Sequence, residues 1–204
     1  MIAPQCVREI LKPFVGVLAG IPSVVLGFFG ILTLTPFLRV MLDLPTGLTA
    51  FAGALLLAAT SLPTIVSVSE DALYAVPKSY RDASIALGVT EWQTIWHVTL
   101  PAAGTGVLTA CMLGIGRTVG ETMAVLMVTG NAPILPTGLG DLFSPVRTMT
   151  ATIAAEMGEV ATGSMHYHVL FLIGIALFLI TLAVNLTAAT VIFRTKKRAE
   201  WMLS

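Results

Sequence analysis

Residues 169–193 read VLFLIGIALFLITLAVNLTAATVIF, a run without a single ionisable side chain. About 20 such residues cross a ~30 Å hydrocarbon core as a helix, and bare backbone cannot be left unpaired in lipid. The run is therefore read as a membrane-spanning helix. Arg194, Lys196, Lys197 and Arg198 follow it at once, as a basic anchor at the membrane boundary. Working outward, no ionisable residue lies between Lys12 and Arg39, nor between Asp43 and Glu70, and only Arg117 and Glu121 interrupt residues 102–128. The expected architecture is an all-α polytopic membrane bundle with spans at 14–38, 46–69, 102–128 and 169–193.

Composition agrees. The chain is 56% hydrophobic and 11% charged, where a soluble domain carries roughly a quarter charged residues. Its mean hydropathy is +0.91. The 11 basic and 11 acidic residues cancel, so no polyanion-binding surface is implied and nucleic acid is not an expected partner. Cys6 and Cys111 make no disulfide framework. The first apolar run is too long for a signal h-region and is expected to stay in the membrane. Basic residues in short loops set the orientation. Arg8, Lys12, Lys78, Arg81 and the basic C-terminal run share one side, whereas the other has only Arg39 and Arg147. The expectation is a plasma-membrane protein with both ends of this chain cytoplasmic, a cytoplasmic loop at 70–101 and an external loop at 129–168.

The cytoplasmic loop is too polar to span and too regular to be a tether. It predicts helices over Lys78–Leu87 and Thr90–Val98. Gly88 stands at a C′ position, where a left-handed residue ends a helix cheaply. Thr90 with Gln93 makes a capping-box pattern, and Pro101 closes the unit. Tyr80, Ala83, Ile85, Leu87 and Trp92 are expected to give it a compact, partly apolar body.

Asp82-Ala83-Ser84, three residues, Gly88, nine residues and then Val98-Thr99-Leu100-Pro101 resemble the EAA motif of ABC importer permeases. Asp for Glu, Ser for Ala and Val for Ile are the departures. The resemblance implies that Asp82, Ala83, Ser84, Gly88, Leu100 and Pro101 belong to a coupling unit that docks on an ATP-binding subunit. Gly116-Arg117-Thr118-Val119-Gly120-Glu121-Thr122-Met123, Gly130-Asn131-Ala132-Pro133 and Ala19-Gly20-Ile21-Pro22-Ser23 are similar to the PstC-type phosphate permeases within that family. This implies partnership with a PstA-type sister permease, an ATPase dimer and an external phosphate-binding protein, beside membrane lipid. The family usually has six spans, and this chain corresponds to the last four.

Arg117 and Glu121 stand four apart, so on one helix they share a face. A charge in hydrocarbon is costly unless paired or hydrated. A guanidinium fork suits phosphate, and the resemblance implies a role for this pair in the substrate pathway. A salt bridge fastening the helix to a neighbour is the plainer reading of the same residues. Gly116 and Gly120 would let a helix approach closely beside them.

In the external loop, Thr148–Glu159 reads as a short helix, with Glu156 and Glu159 projecting outward. No glycine precedes any lysine in a phosphate-binding loop pattern, so ATP hydrolysis is expected from a partner and no catalytic residue, cofactor or metal is assigned. His166-Tyr167-His168 reads as an interfacial cap on the last span. An ion-coupled carrier or channel would also explain the spans and the charged pair, but not the spaced cytoplasmic motif. A permease for another oxyanion, sulfate or molybdate, is the nearest rival.

Overall fold

The structure is a computed structural model that describes residues 13, 15–17 and 20–201. All regular elements among the described residues are helical; Gly130 and Val146 form one isolated bridge. We number the helices α1 Ser23–Met41, α2 Ala50–Tyr74, α3 Lys78–Ala86, α4 Glu91–Ala102, α5 Gly104–Val119, α6 Met123–Val128, α7 Met149–Glu156 and α8 Met165–Trp201. α1, α2 and Met165–Thr190 of α8 are each long and apolar enough to cross a membrane, and the bent pair α4–α5 makes a fourth candidate. Only 6% of the most apolar window of α8 is buried, so its side chains must meet lipid or another subunit.

The first span differs from its expected limits of 14–38. Residues 14, 18 and 19 lie outside those described. The helix begins at Ser23 because Pro22 is held extended (φ −58°, ψ 138°), and it runs on to Met41. Pro36 breaks nothing, for a local reason. Gly30–Leu34 form a π turn directly before Thr35-Pro36, which widens the helix where a proline ring would strike the carbonyl four residues back. The Thr35 hydroxyl donates to Ile31 O at 2.8 Å and so covers one carbonyl in that turn. α4 repeats the device, with a π turn over Ile95–Thr99 before Leu100-Pro101. Pro63 lies inside α2, which continues through it to Tyr74, beyond the expected end at 69.

The third span is corrected more deeply. Residues 102–128 are not one helix: α5 ends at Val119, and α6 starts at Met123. Gly120-Glu121-Thr122 form the break.

The chain divides into two compact units, Leu62–Gly116 with Val184 onward, and Ile21–Ser61 with Arg117–Ala183. In the second, α1 packs on α6 around Leu38, Ala52, Leu56, Ala124 and Val128. Glycine allows this approach. A Cβ on Gly27 would lie 2.9 Å from Ala124 Cα, and one on Gly30 would lie 2.9 Å from Val128 Cγ2. In the first unit, α3 and α4, which lie between α2 and α5 in sequence, pack together.

Candidate functional site

The site residues expected from sequence fall into two groups, one in each unit. The first is the α3–α4 hairpin. Leu87 ends α3, and Gly88 follows with φ +81°. L-residues with a side chain reach that region at a cost of roughly 1–2 kcal/mol. Thr90 Oγ1 then accepts from Gln93 N at 3.4 Å, and Gln93 Oε1 accepts from Thr90 N at 3.2 Å. This is the reciprocal capping box that the sequence pattern predicts.

Between the two helices the Ser84 and Thr94 hydroxyls share a 2.6 Å hydrogen bond, both nearly inaccessible. Arg81 Nη2 donates to Leu73 O at 2.7 Å, covering a carbonyl in the last turn of α2. Lys78, Arg81, Asp82, Glu91, Thr94 and Thr99 border an open cleft of about 290 Å³. Of the motif residues, Asp82, Ala83, Gly88 and Pro101 are exposed, Ser84 is buried and Leu100 is half-buried.

The large apolar residues of the hairpin lie on its outside. Tyr80, Ile85, Leu87 and Trp92 are exposed, Leu87 by 83%, while Ser84, Thr94 and Thr99 are buried. Small hydroxyl residues let the two helices meet closely, and the large side chains are left on the outside. Thr94 and Arg81 were not singled out by sequence. Thr94 lies ten residues from Ser84, and only the reversal of the chain at Gly88 brings them together.

The second group surrounds the break in the third span. Arg117 is exposed in the last turn of α5, where a cation meets the negative end of the helix dipole favourably. Glu121 is half-buried beyond the helix end, so the single helical face on which it and Arg117 would pair does not extend to it. Its Oε1 instead stands 3.5 Å from Ala124 N, in the first turn of α6. Its N–H donates to Thr118 O at 3.2 Å, and Thr150 Oγ1 of α7 donates to its carbonyl at 3.5 Å. Gly120 also lies past α5, so Gly116 and Gly120 do not form one helix face.

In the segment between α6 and α8, Glu156 is not directed away from the protein. Arg147 Nη1 donates to Glu156 Oε1, and His166 Nε2 meets Oε2 at 2.8 Å. Arg147 Nε also donates to Asn131 O at 3.2 Å. The His166 hydrogen bond, with help from the Arg147 guanidinium and against some desolvation, holds the Glu156 carboxyl below its ordinary range. His166 thus ties the first turn of α8 to α7 rather than simply capping the span. Partners nine and ten residues away carry no helical or strand period, so sequence gives no signal for this cluster.

Comparisons with known proteins fit this geometry. A permease described as "Probable ABC transporter permease protein YqgH" from Bacillus subtilis is 41% identical over 88% of this chain and 57% of its own length. "Phosphate transport system permease protein PstC" of Mesorhizobium japonicum is 33% identical over 95% of this chain and 64% of its own. The chain thus spans about three fifths of the length of these curated relatives. Among solved structures, the MetNI methionine ABC transporter in an inward-facing conformation superposes with a TM-score of 0.71 at 20% identity. It covers 96% of this chain and 78% of that one, which shows the fold. The profile of the "Binding-protein-dependent transport system inner membrane component" family matches residues 3–198. The chain belongs to that family of transport-system inner-membrane components.

Proposed function

We propose that this chain is part of a permease subunit that forms the phosphate pathway of an ATP-driven importer. The observation that carries the reading is the α3–Gly88–α4 hairpin. A positive-φ glycine and a capping box fix a two-helix projection whose large apolar side chains face outward. Such a projection suits docking into a groove on a separate ATPase, because desolvating Leu87, Ile85 and Tyr80 supplies about 25 cal/mol per Å² buried. Asp82, Ala83, Ser84, Gly88, Leu100 and Pro101 form or support this coupling unit. The names of the PstC relatives supply the substrate class.

Arg117 and Glu121 belong to the substrate pathway in this reading. Broken membrane helices leave backbone groups and charges facing a cavity rather than lipid, and the break at Gly120–Thr122 contains Glu121 and closely follows Arg117. Arg117 attracts the oxyanion, and Glu121 keeps that attraction from becoming a trap. The partners are a sister permease, an ATPase dimer and an external phosphate-binding protein. The hairpin lies on the cytoplasmic side, with Arg39 and Arg147 outside, as the distribution of basic residues requires.

The test is labelled phosphate uptake by the reconstituted complex, with sulfate and molybdate as competitors. Arg117→Gln abolishes uptake while the complex still assembles, and Arg117→Gln with Glu121→Gln does not restore it. Substantial uptake by the double variant assigns the pair to packing alone. Competition by sulfate or molybdate as strong as by phosphate itself overturns the substrate assignment.

A further inference from the structure

α4 meets α5 at 68° across the single residue Ala103, and this angle fixes where α4 lies if α5 crosses a bilayer. Twelve residues of helix are about 18 Å long. Inclined at 68° to an upright α5, α4 changes depth by only about 7 Å over that length. The headgroup zone on each side is about 5–7 Å thick. Trp96, six residues before Ala102, stays within about 6 Å of the entry point of the span even if α5 tilts by a typical 20°.

The side chains of α4 sort as such a position demands. Thr94 and Thr99 are buried, and Thr94 is tied to Ser84 of α3. Trp92 and Trp96 point outward, 59% and 52% exposed, with ring centroids 5.9 Å apart in an edge-to-face pair. Gln93 and His97 form the adjacent exposed stripe, and His97 Nδ1 lies 3.1 Å from Gln93 O. A helix in water would hide its indoles and expose its threonines. This one does the reverse, with a polar stripe about 100° round the helix from the indoles. Indole combines an apolar ring with one N–H donor, and tryptophan collects at the membrane–water boundary for that reason.

We propose that the Trp92–Trp96 face of α4 is a lipid-binding surface, seated in the bilayer interface on the side from which α5 enters. Its partner is the boundary of phospholipid headgroups and acyl chains, with Gln93 and His97 turned to water. The surface holds α4 at a fixed depth, so that movement of the hairpin is passed to α5 rather than lost as rocking. The inference requires only that α5 enters the bilayer at its Gly104 end, and it stands whatever the transported substrate is.

The experiment uses the full chain with Trp201→Phe, reconstituted in phosphatidylcholine–phosphatidylglycerol vesicles. Bromine is placed either near the headgroup end or near the terminus of the acyl chains. Shallow bromines should quench the Trp92 and Trp96 emission roughly two-fold and deep bromines much less, as for an interfacial helix buried by 5–10 Å. Trp92→Phe and Trp96→Phe, each added singly, should leave the shallow preference intact. Quenching by aqueous acrylamide without any by bromolipid overturns the proposal. So does shallow quenching that vanishes when a tryptophan-free ATPase partner is added, since the face then belongs to that protein. Stronger quenching by deep bromines also overturns it, because the pair would then lie in the acyl core.

Discussion

The hydroxyls of Ser84 and Thr94 lie 2.6 Å apart between the helices of the α3–α4 hairpin, and each is the other's means of satisfaction in a nearly dry contact. Removing one leaves the other buried without its partner, at about 1–3 kcal/mol. Ser84→Ala should therefore destabilise the chain in detergent, read as a lower thermal midpoint. Adding Thr94→Val should cost less than the sum of the two single changes. Strict additivity would show that the hydroxyls do not depend on one another.

Gly88 makes a different prediction, because nothing lies within 4 Å of the position a Cβ would take. The obstacle is the φ of +81° and not space. Asparagine, which tolerates the left-handed region, should retain ATPase association. Alanine should weaken it, and valine should weaken it most, through a local strain of roughly 1–2 kcal/mol. Co-purification with the ATPase subunit gives the order. If valine associates as well as glycine, the turn plays no part in docking.

At Gly27 the limit is steric. A methyl group there meets the Ala124 backbone at 2.9 Å, whereas one at Gly30 meets the end of the Val128 side chain. Gly27→Ala must push α1 from α6 and should cost about 1–3 kcal/mol in detergent unfolding. Gly30→Ala should cost less and be relieved by Val128→Ala. Equal, unrelieved losses at both sites would contradict this packing.

The Glu156 cluster predicts acid sensitivity with a definite sign. His166 and Arg147 lower the Glu156 carboxyl from its ordinary value of 4.5. A lowered carboxyl contributes stability that is complete above its unfolded value and is lost as pH falls through its folded value. The wild-type protein should thus lose thermal stability as pH drops below about 4.5, where unpaired glutamate begins to protonate. Glu156→Gln should start less stable and show a smaller loss over that window. Parallel acid profiles for the two proteins would remove Glu156 as the source.

Sequence by itself determined the membrane class, because the absence of charge over residues 169–193 leaves only a helix in lipid as a solution. It also determined the hairpin: Gly88, Thr90 and Gln93 act through backbone neighbours a few residues away, and local chemistry is legible locally. The interruption of the third span at Gly120–Thr122 was not legible, since hydropathy records apolar length and not helical continuity. Nor were Ser84 with Thr94 or Glu156 with Arg147 and His166, whose partners have no helical spacing. Nor was it legible which side chains line the contact between the two helices, since Tyr80, Ile85, Leu87 and Trp92 all lie on its outside. An amphipathic pattern names two faces but not which solvent each one meets. Tertiary structure decided that, because only close packing of α3 on α4 selects the small hydroxyl residues for the inside and leaves the large apolar ones to other partners.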